Sequence, residues 1–161
     1  MSGPGVLVAG VGNIFLGDDG FGCEVARRLA ASPPPGAKVV DFGIRGLHLA
    51  FELLEGYATL VLVDTVERGD PPGTITVLEV EAASEGGGIP DAHDMGPQNV
   101  LDLLADFGGR LDRVLVVGCE AATVEEGIGL SGPVDAAVPE AVRVVEDLVR
   151  EEIAAYAGKE R

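Results

Sequence analysis

The chain has 161 residues, the size of one domain, and its 47% hydrophobic content supports a core built from Val, Leu, Ile and Ala, since aromatics make up 4% and Trp is absent. The formal charge, 11 − 27 = −16, repels phosphate backbones and argues against nucleic acid as a partner. No apolar run approaches the ~20 residues of a membrane helix, and two cysteines without CxxC spacing make neither a disulfide framework nor a structural zinc motif. With no basic, apolar leader at its N-terminus, the chain reads as a cytoplasmic protein without membrane segments.

In chain order, residues 5–10 form a short apolar run ending in glycine, which suits a strand buried on both faces. Residues 18–31 read as a helix, with Phe21, Val25 and Leu29 on one side and Arg27 and Arg28 on the other. Asp18 or Asp19 stands where an N-cap belongs, and Pro33, Pro34 and Pro35 stop the helix. A strand at 37–42, a helix at 46–55 and an apolar strand at 58–64 follow. The turn at 68–73 leads at once into a strand at 74–80. So short a link, without a crossover helix, predicts an antiparallel strand. A Gly- and acid-rich loop at 81–94 precedes a helix at 96–107, a strand at 113–119 and a second loop at 120–132. A long helix from 133 to about 156 closes the chain, with Pro133 near its start. The order β-α-β-α-β-β-α-β-α predicts a single α/β domain over 1–161 with a mostly parallel five-stranded sheet.

Open α/β sheets bind ligands beyond the carboxyl ends of their strands. There stand Gly10-Val-Gly-Asn13 through Asp18-Asp19-Gly20, then Asp64-Thr65, then Asp91-Ala-His93-Asp94, then Gly118-Cys119-Glu120. Gly10 and Gly12 after a strand, with Asp41 ending the next, invite a dinucleotide reading. Phe15 takes the place of the small residue that GxGxxG requires, and Asp18 and Asp19 would set like charge against a pyrophosphate. A set of Asp, Asp and His suits borderline divalent cations instead, which polarise a carbonyl or activate water at an open position. A strand-end Asp also serves as a turn former or cap, so each of these residues keeps a purely structural alternative. Cys23 and Cys119 read as small buried apolar residues, His48 as a surface or packing residue of its helix, and Glu120 as a solvated loop charge unless it joins the site. No Gly-x-Ser-x-Gly elbow and no His-Glu-x-x-His is present.

The run from Gly10 to Gly22 (Gly-Val-Gly-Asn-Ile-Phe-Leu-Gly-Asp-Asp-Gly-Phe-Gly) resembles the N-terminal signature of the hydrogenase maturation proteases. The likeness continues through Asp41–Gly46, Val61–Asp64, the His93 segment, Gly118–Glu120 and Gly127–Ser131, and so spans nearly the whole chain. It implies a three-layer α/β/α sandwich with a five-stranded sheet. It also implies an endopeptidase, aspartyl-type or metal-dependent, that removes the C-terminal peptide from a nickel-loaded [NiFe] hydrogenase large-subunit precursor. By motif match, Asp19, Asp64 and His93 are the implied catalytic and metal-contacting residues, and the nickel is carried by the substrate. Ile44 stands where the family's second-strand motif often has Thr. Two other functions compete: a nickel-sensing maturation chaperone that cuts nothing, and a generic metal-dependent peptidase or amidase.

Overall fold

The computed structural model describes residues 5–81 and 96–159. Its five strands are β1 (Val6–Val11), β2 (Ala37–Gly43), β3 (Thr59–Val66), β4 (Ile75–Val80) and β5 (Arg113–Glu120), in the order β2-β1-β3-β5-β4. The helices are α1 (Phe21–Ala31), α2 (Gly46–Leu53), α3 (Pro97–Asp106) and α4 (Gly132–Lys159). β1, β2, β3 and β5 run parallel, and β4 pairs antiparallel with β5.

Strand periodicity divides the core into two layers. Val6 and Val8 of β1, Val61 and Val63 of β3, and Leu115 and Val117 of β5 pack on one face against α1 and α4. Leu7, Ala9, Leu60, Leu62, Val114 and Val116 pack on the other against α2 and α3. This is the expected three-layer sandwich. All six residues of β1 are buried, as a strand covered on both faces must be. Phe21, Val25 and Leu29 carry α1 onto the sheet as their spacing predicts. The closest approach is at Gly22, where a Cβ would collide with the carbonyl oxygens of Val63 and Val11. α4 contains Pro139 on its exposed side, where water can satisfy the carbonyl that proline leaves unpaired.

The short link after β3 does reverse the chain, but β4 does not pair with β3. β5 inserts between them, so residues 67–74 cross over the C-terminal end of β5. Glu120, expected as a solvated loop charge, is instead the buried last residue of β5 and secures that crossing. Its side-chain Oε1 accepts the backbone N–H of Arg68 (2.9 Å) and of Asp70 (3.2 Å), while its own backbone pairs with Gly73 and Thr74. No helix among the described residues is long and apolar enough to cross a membrane.

Candidate active site at the β1–β3 crevice

From β1 the chain leaves toward β2 on one side, while β3 lies on the other. The carboxyl ends of β1 and β3 therefore flank the switch point of the sheet, where open α/β folds form their ligand crevices. Asp64 lies one residue beyond Val63, the partner of Gly10. Asp19 arrives from the other side, on a short 3-10 turn (Gly17–Gly20) between β1 and α1. That turn folds back so tightly over the end of β1 that a Cβ on Gly12, at φ 134°, would strike the carbonyl of Asp19. Only glycine fits there.

Thr65 joins the two carboxylates. Its backbone N–H donates to Asp64 Oδ1 at 2.7 Å, and its hydroxyl donates to Asp19 Oδ1 at 3.3 Å. Asp19 Oδ2 also accepts the N–H of Asn13 at 2.8 Å. Asn13 in turn orders the glycine loop, its Oδ1 accepting the N–H of Phe15 at 2.9 Å. Burial pushes the Asp64 carboxyl up to about 7; the hydrogen bonds of Thr65 oppose the rise and the negative charge of Asp19 adds to it. Two carboxylates joined through one threonine suit a cation between them. His93 lies outside the described residues. Among the described residues, no group of three His, Cys, Asp or Glu stands together as a metal site; Asp19 and Asp64 are the two expected donors that the fold brings together.

Asp18 does something else. Neither the 3-10 turn nor α1 has a side-chain cap, so the expected capping role is not the one it takes. Its carboxylate is fully buried and turned toward the loop after β5. Oδ2 accepts the N–H of Ala122 (2.8 Å), the N–H of Thr123 (3.1 Å) and the hydroxyl of Ser131 (2.9 Å), and Oδ1 accepts the N–H of Ser131 (2.7 Å). Burial alone would raise its pKa, but these hydrogen bonds win and hold the carboxyl below its ordinary value.

The cysteines are buried, as expected. Burial pushes Cys23 up to about 12, with the nearby Asp41 carboxylate adding to the rise, and its Sγ donates to the Gly12 carbonyl at 3.4 Å. Burial likewise pushes Cys119 up to about 11, with the charge of Asp18 adding to the rise. Both are thiols at neutral pH, and a thiol attacks amides poorly. His48 is exposed on α2. Thr65 takes its role only in the fold; a hydroxyl directly after a strand-end Asp is the signal the sequence offers for it.

A cleft of about 310 Å³ opens beside the 3-10 turn, lined by Ile14, Cys23, Asp41, Ile128 and Leu130 among others. A second, of about 240 Å³, shares Ile14, Cys23 and Asp41 and extends to Ile44 and Arg45. Both adjoin the crevice, and the larger reaches the lower end of ligand-site volumes.

Fold and site together define an open α/β protein with an acidic crevice at its switch point. Comparison with known proteins makes the class specific. The profile of the hydrogenase maturation protease family HycI matches residues 23–148. The hydrogenase expression/formation protein HoxM of Cupriavidus necator is 33% identical over 151 residues, 90% of this chain and 74% of that one. The coenzyme F420 hydrogenase subunit delta of Methanothermobacter thermautotrophicus is 32% identical over 151 residues, covering 88% and 92%. Among solved structures, the hydrogenase maturating endopeptidase HybD from E. coli superposes with a TM-score of 0.76 at 27% identity, over 94% of each chain. The chain belongs to the hydrogenase maturation protease family, and its activity is that of an endopeptidase.

Proposed function

We propose that this endopeptidase removes the C-terminal peptide from the nickel-loaded large-subunit precursor of a [NiFe] hydrogenase, reading the nickel through Asp19, Asp64 and His93. The observation that carries this reading is the convergence of Asp19 and Asp64 at the β1–β3 crevice, with Thr65 bonded to both. Two carboxylates and an imidazole suit a borderline divalent cation. The metal arrives with the substrate, so these residues bind the loaded precursor more tightly than the empty one, which is a checkpoint by differential affinity. In the cleavage step the elements of water add across the scissile amide: its carbonyl carbon gains the hydroxyl and the departing nitrogen gains the proton. Asp19 and Asp64 fix the nickel-bearing end of the precursor, and the adjoining cleft receives the neighbouring chain. The reaction belongs in the cytoplasm, in keeping with two buried cysteines that remain free thiols.

The test is intact-mass analysis of a matched precursor, nickel-loaded or nickel-free, incubated with the wild type and with Asp19→Ala, Asp64→Ala and His93→Ala. Loss of one defined C-terminal peptide, dependent on nickel and on all three residues, is expected. A precursor that binds but stays whole would identify a nickel-sensing chaperone instead. Equal turnover of unrelated peptides would identify a generic metal-dependent peptidase.

A further inference from the structure

We propose that Asp18 is a positioning residue, holding the 122–131 segment as a rigid wall against which an apolar side chain of the precursor seats beside the nickel site. The inference rests on the functional reading above. A fully buried carboxylate is costly unless its lone pairs are filled. Asp18 fills them entirely from this one segment, which lies more than a hundred residues away in sequence. The backbone adds a second set of fasteners. Asp18 N–H donates to Thr123 O (3.0 Å), Gly17 N–H to Gly127 O (2.9 Å), and Gly127 N–H to Phe15 O (2.9 Å). The segment is therefore fixed near its start, middle and end to the turn that carries Asp19.

A loop held this firmly still projects apolar side chains into solvent. Ile128 is 81% exposed and Val124 47%. Ile14 is 48% exposed, and its chain neighbour Phe15 60%. Ile14, Ile128 and Leu130 line the cleft of about 310 Å³, whose floor includes Gly17 and Gly20, the two ends of the Asp19 turn. Exposed apolar groups that line one cleft mark a binding surface. The occupant is argued from continuity: the two ends of the Asp19 turn line this cleft, so a precursor whose nickel is held at Asp19 and Asp64 has it within reach on leaving the metal. An apolar side chain there would be gripped between Ile14 and Ile128.

The experiment measures kcat and KM for the nickel-loaded precursor with the wild type, Ile128→Ser, Ser131→Ala, Asp18→Ala and the double variant Asp18→Ala/Ile128→Ser. Ile128→Ser is expected to raise KM about tenfold with kcat little changed, the signature of lost uniform binding. Asp18→Ala should lower kcat/KM more strongly, and adding Ile128→Ser to it should cost little further, because the wall is already displaced. Ser131→Ala, which removes one of the four bonds, gives a milder version should Asp18→Ala fold poorly; combined with Ile128→Ser it too should be less than multiplicative. Wild-type cleavage with an unchanged KM in Ile128→Ser overturns the inference alone. Fully multiplicative effects show that Asp18 acts elsewhere than through this wall and overturn its positioning role. A wild type that leaves the precursor whole overturns the functional reading, and the inference with it.

Discussion

At the rim where the strands begin, Glu152 reaches from α4 to the sheet and finds every partner it needs: the Thr59 hydroxyl at 2.8 Å and the Arg113 guanidinium at 2.5 Å, which also pairs with Glu79. At the rim where the strands end, Asp19 and Asp64 stand near one another with no ion pair to a basic side chain among the described residues. The same sheet thus neutralises charge at one edge and leaves it to accumulate at the other. Burial with partners is structure; burial against a like charge is a site poised for a cation. The contrast repeats within a single turn, where Asp18 is saturated with donors and Asp19 looks into the crevice.

The largest expected effect lies at the under-compensated rim. Asp64→Ala should reduce precursor cleavage by more than about a hundredfold, since loss of even a supporting group around a metal costs about 10- to 100-fold, and mass analysis of the precursor checks it. At the saturated carboxylate the loss should appear in stability instead. Asp18→Ala leaves the N–H groups of Ala122, Thr123 and Ser131 without their acceptor and should cost about 3 kcal/mol in urea unfolding. An unchanged midpoint would show that water replaces the carboxylate freely.

The two acids should also respond to pH with opposite sign. Asp18 titrates below its unfolded value, so its contribution to stability is complete above about pH 4 and is lost as pH falls through the folded pKa. Asp64 titrates above its unfolded value, at about 7. The folded protein therefore holds an extra proton between about pH 4 and 7, and stability declines as pH rises through that window, levelling above it. Asp64→Asn cannot ionise. The metal-free variant should melt a few degrees above the wild type at pH 8 and close to it at pH 4. An equal difference at both values would refute the upward shift that burial gives Asp64.

Much of this was legible in the sequence because it depends on local pattern. Continuous apolar runs mark the buried strands, the spacing of Phe21, Val25 and Leu29 marks α1, and the strand ends bring Asp19 and Asp64 to one rim. The direction of β4 followed from its short link. Its place beyond β5 did not, because that depends on a strand made later in the chain, and the role of Glu120 follows from that place. Asp18 and Asp19 are chemically identical neighbours, so in the sequence only the motif resemblance separates them. What separates them in the fold is the loop at 122–131, which reaches one carboxylate and not the other. His93 lies outside the described residues and stays with the reading of the motif.

The smallest effect is the finest test of the acidic crevice. Thr65→Val keeps the backbone N–H that donates to Asp64 and deletes the hydroxyl, which bonds Asp19 at 3.3 Å at a half-buried position and also favours the charged form of Asp64. Valine has nearly the same shape and suits a strand, so folding stability should change by less than about 1 kcal/mol. Asp19 keeps its bond from Asn13 but loses its tether to β3, which frees the carboxylate to turn away from Asp64. A loosened group beside a metal weakens binding by about tenfold or more. The variant should therefore cleave loaded precursor about tenfold less efficiently, with its unfolding midpoint barely moved. Serine at the same position restores the hydroxyl and should restore most of the activity. If Thr65→Val cleaves as well as the wild type, Asp19 is held by Asn13 alone, and the link from β3 is not part of the site.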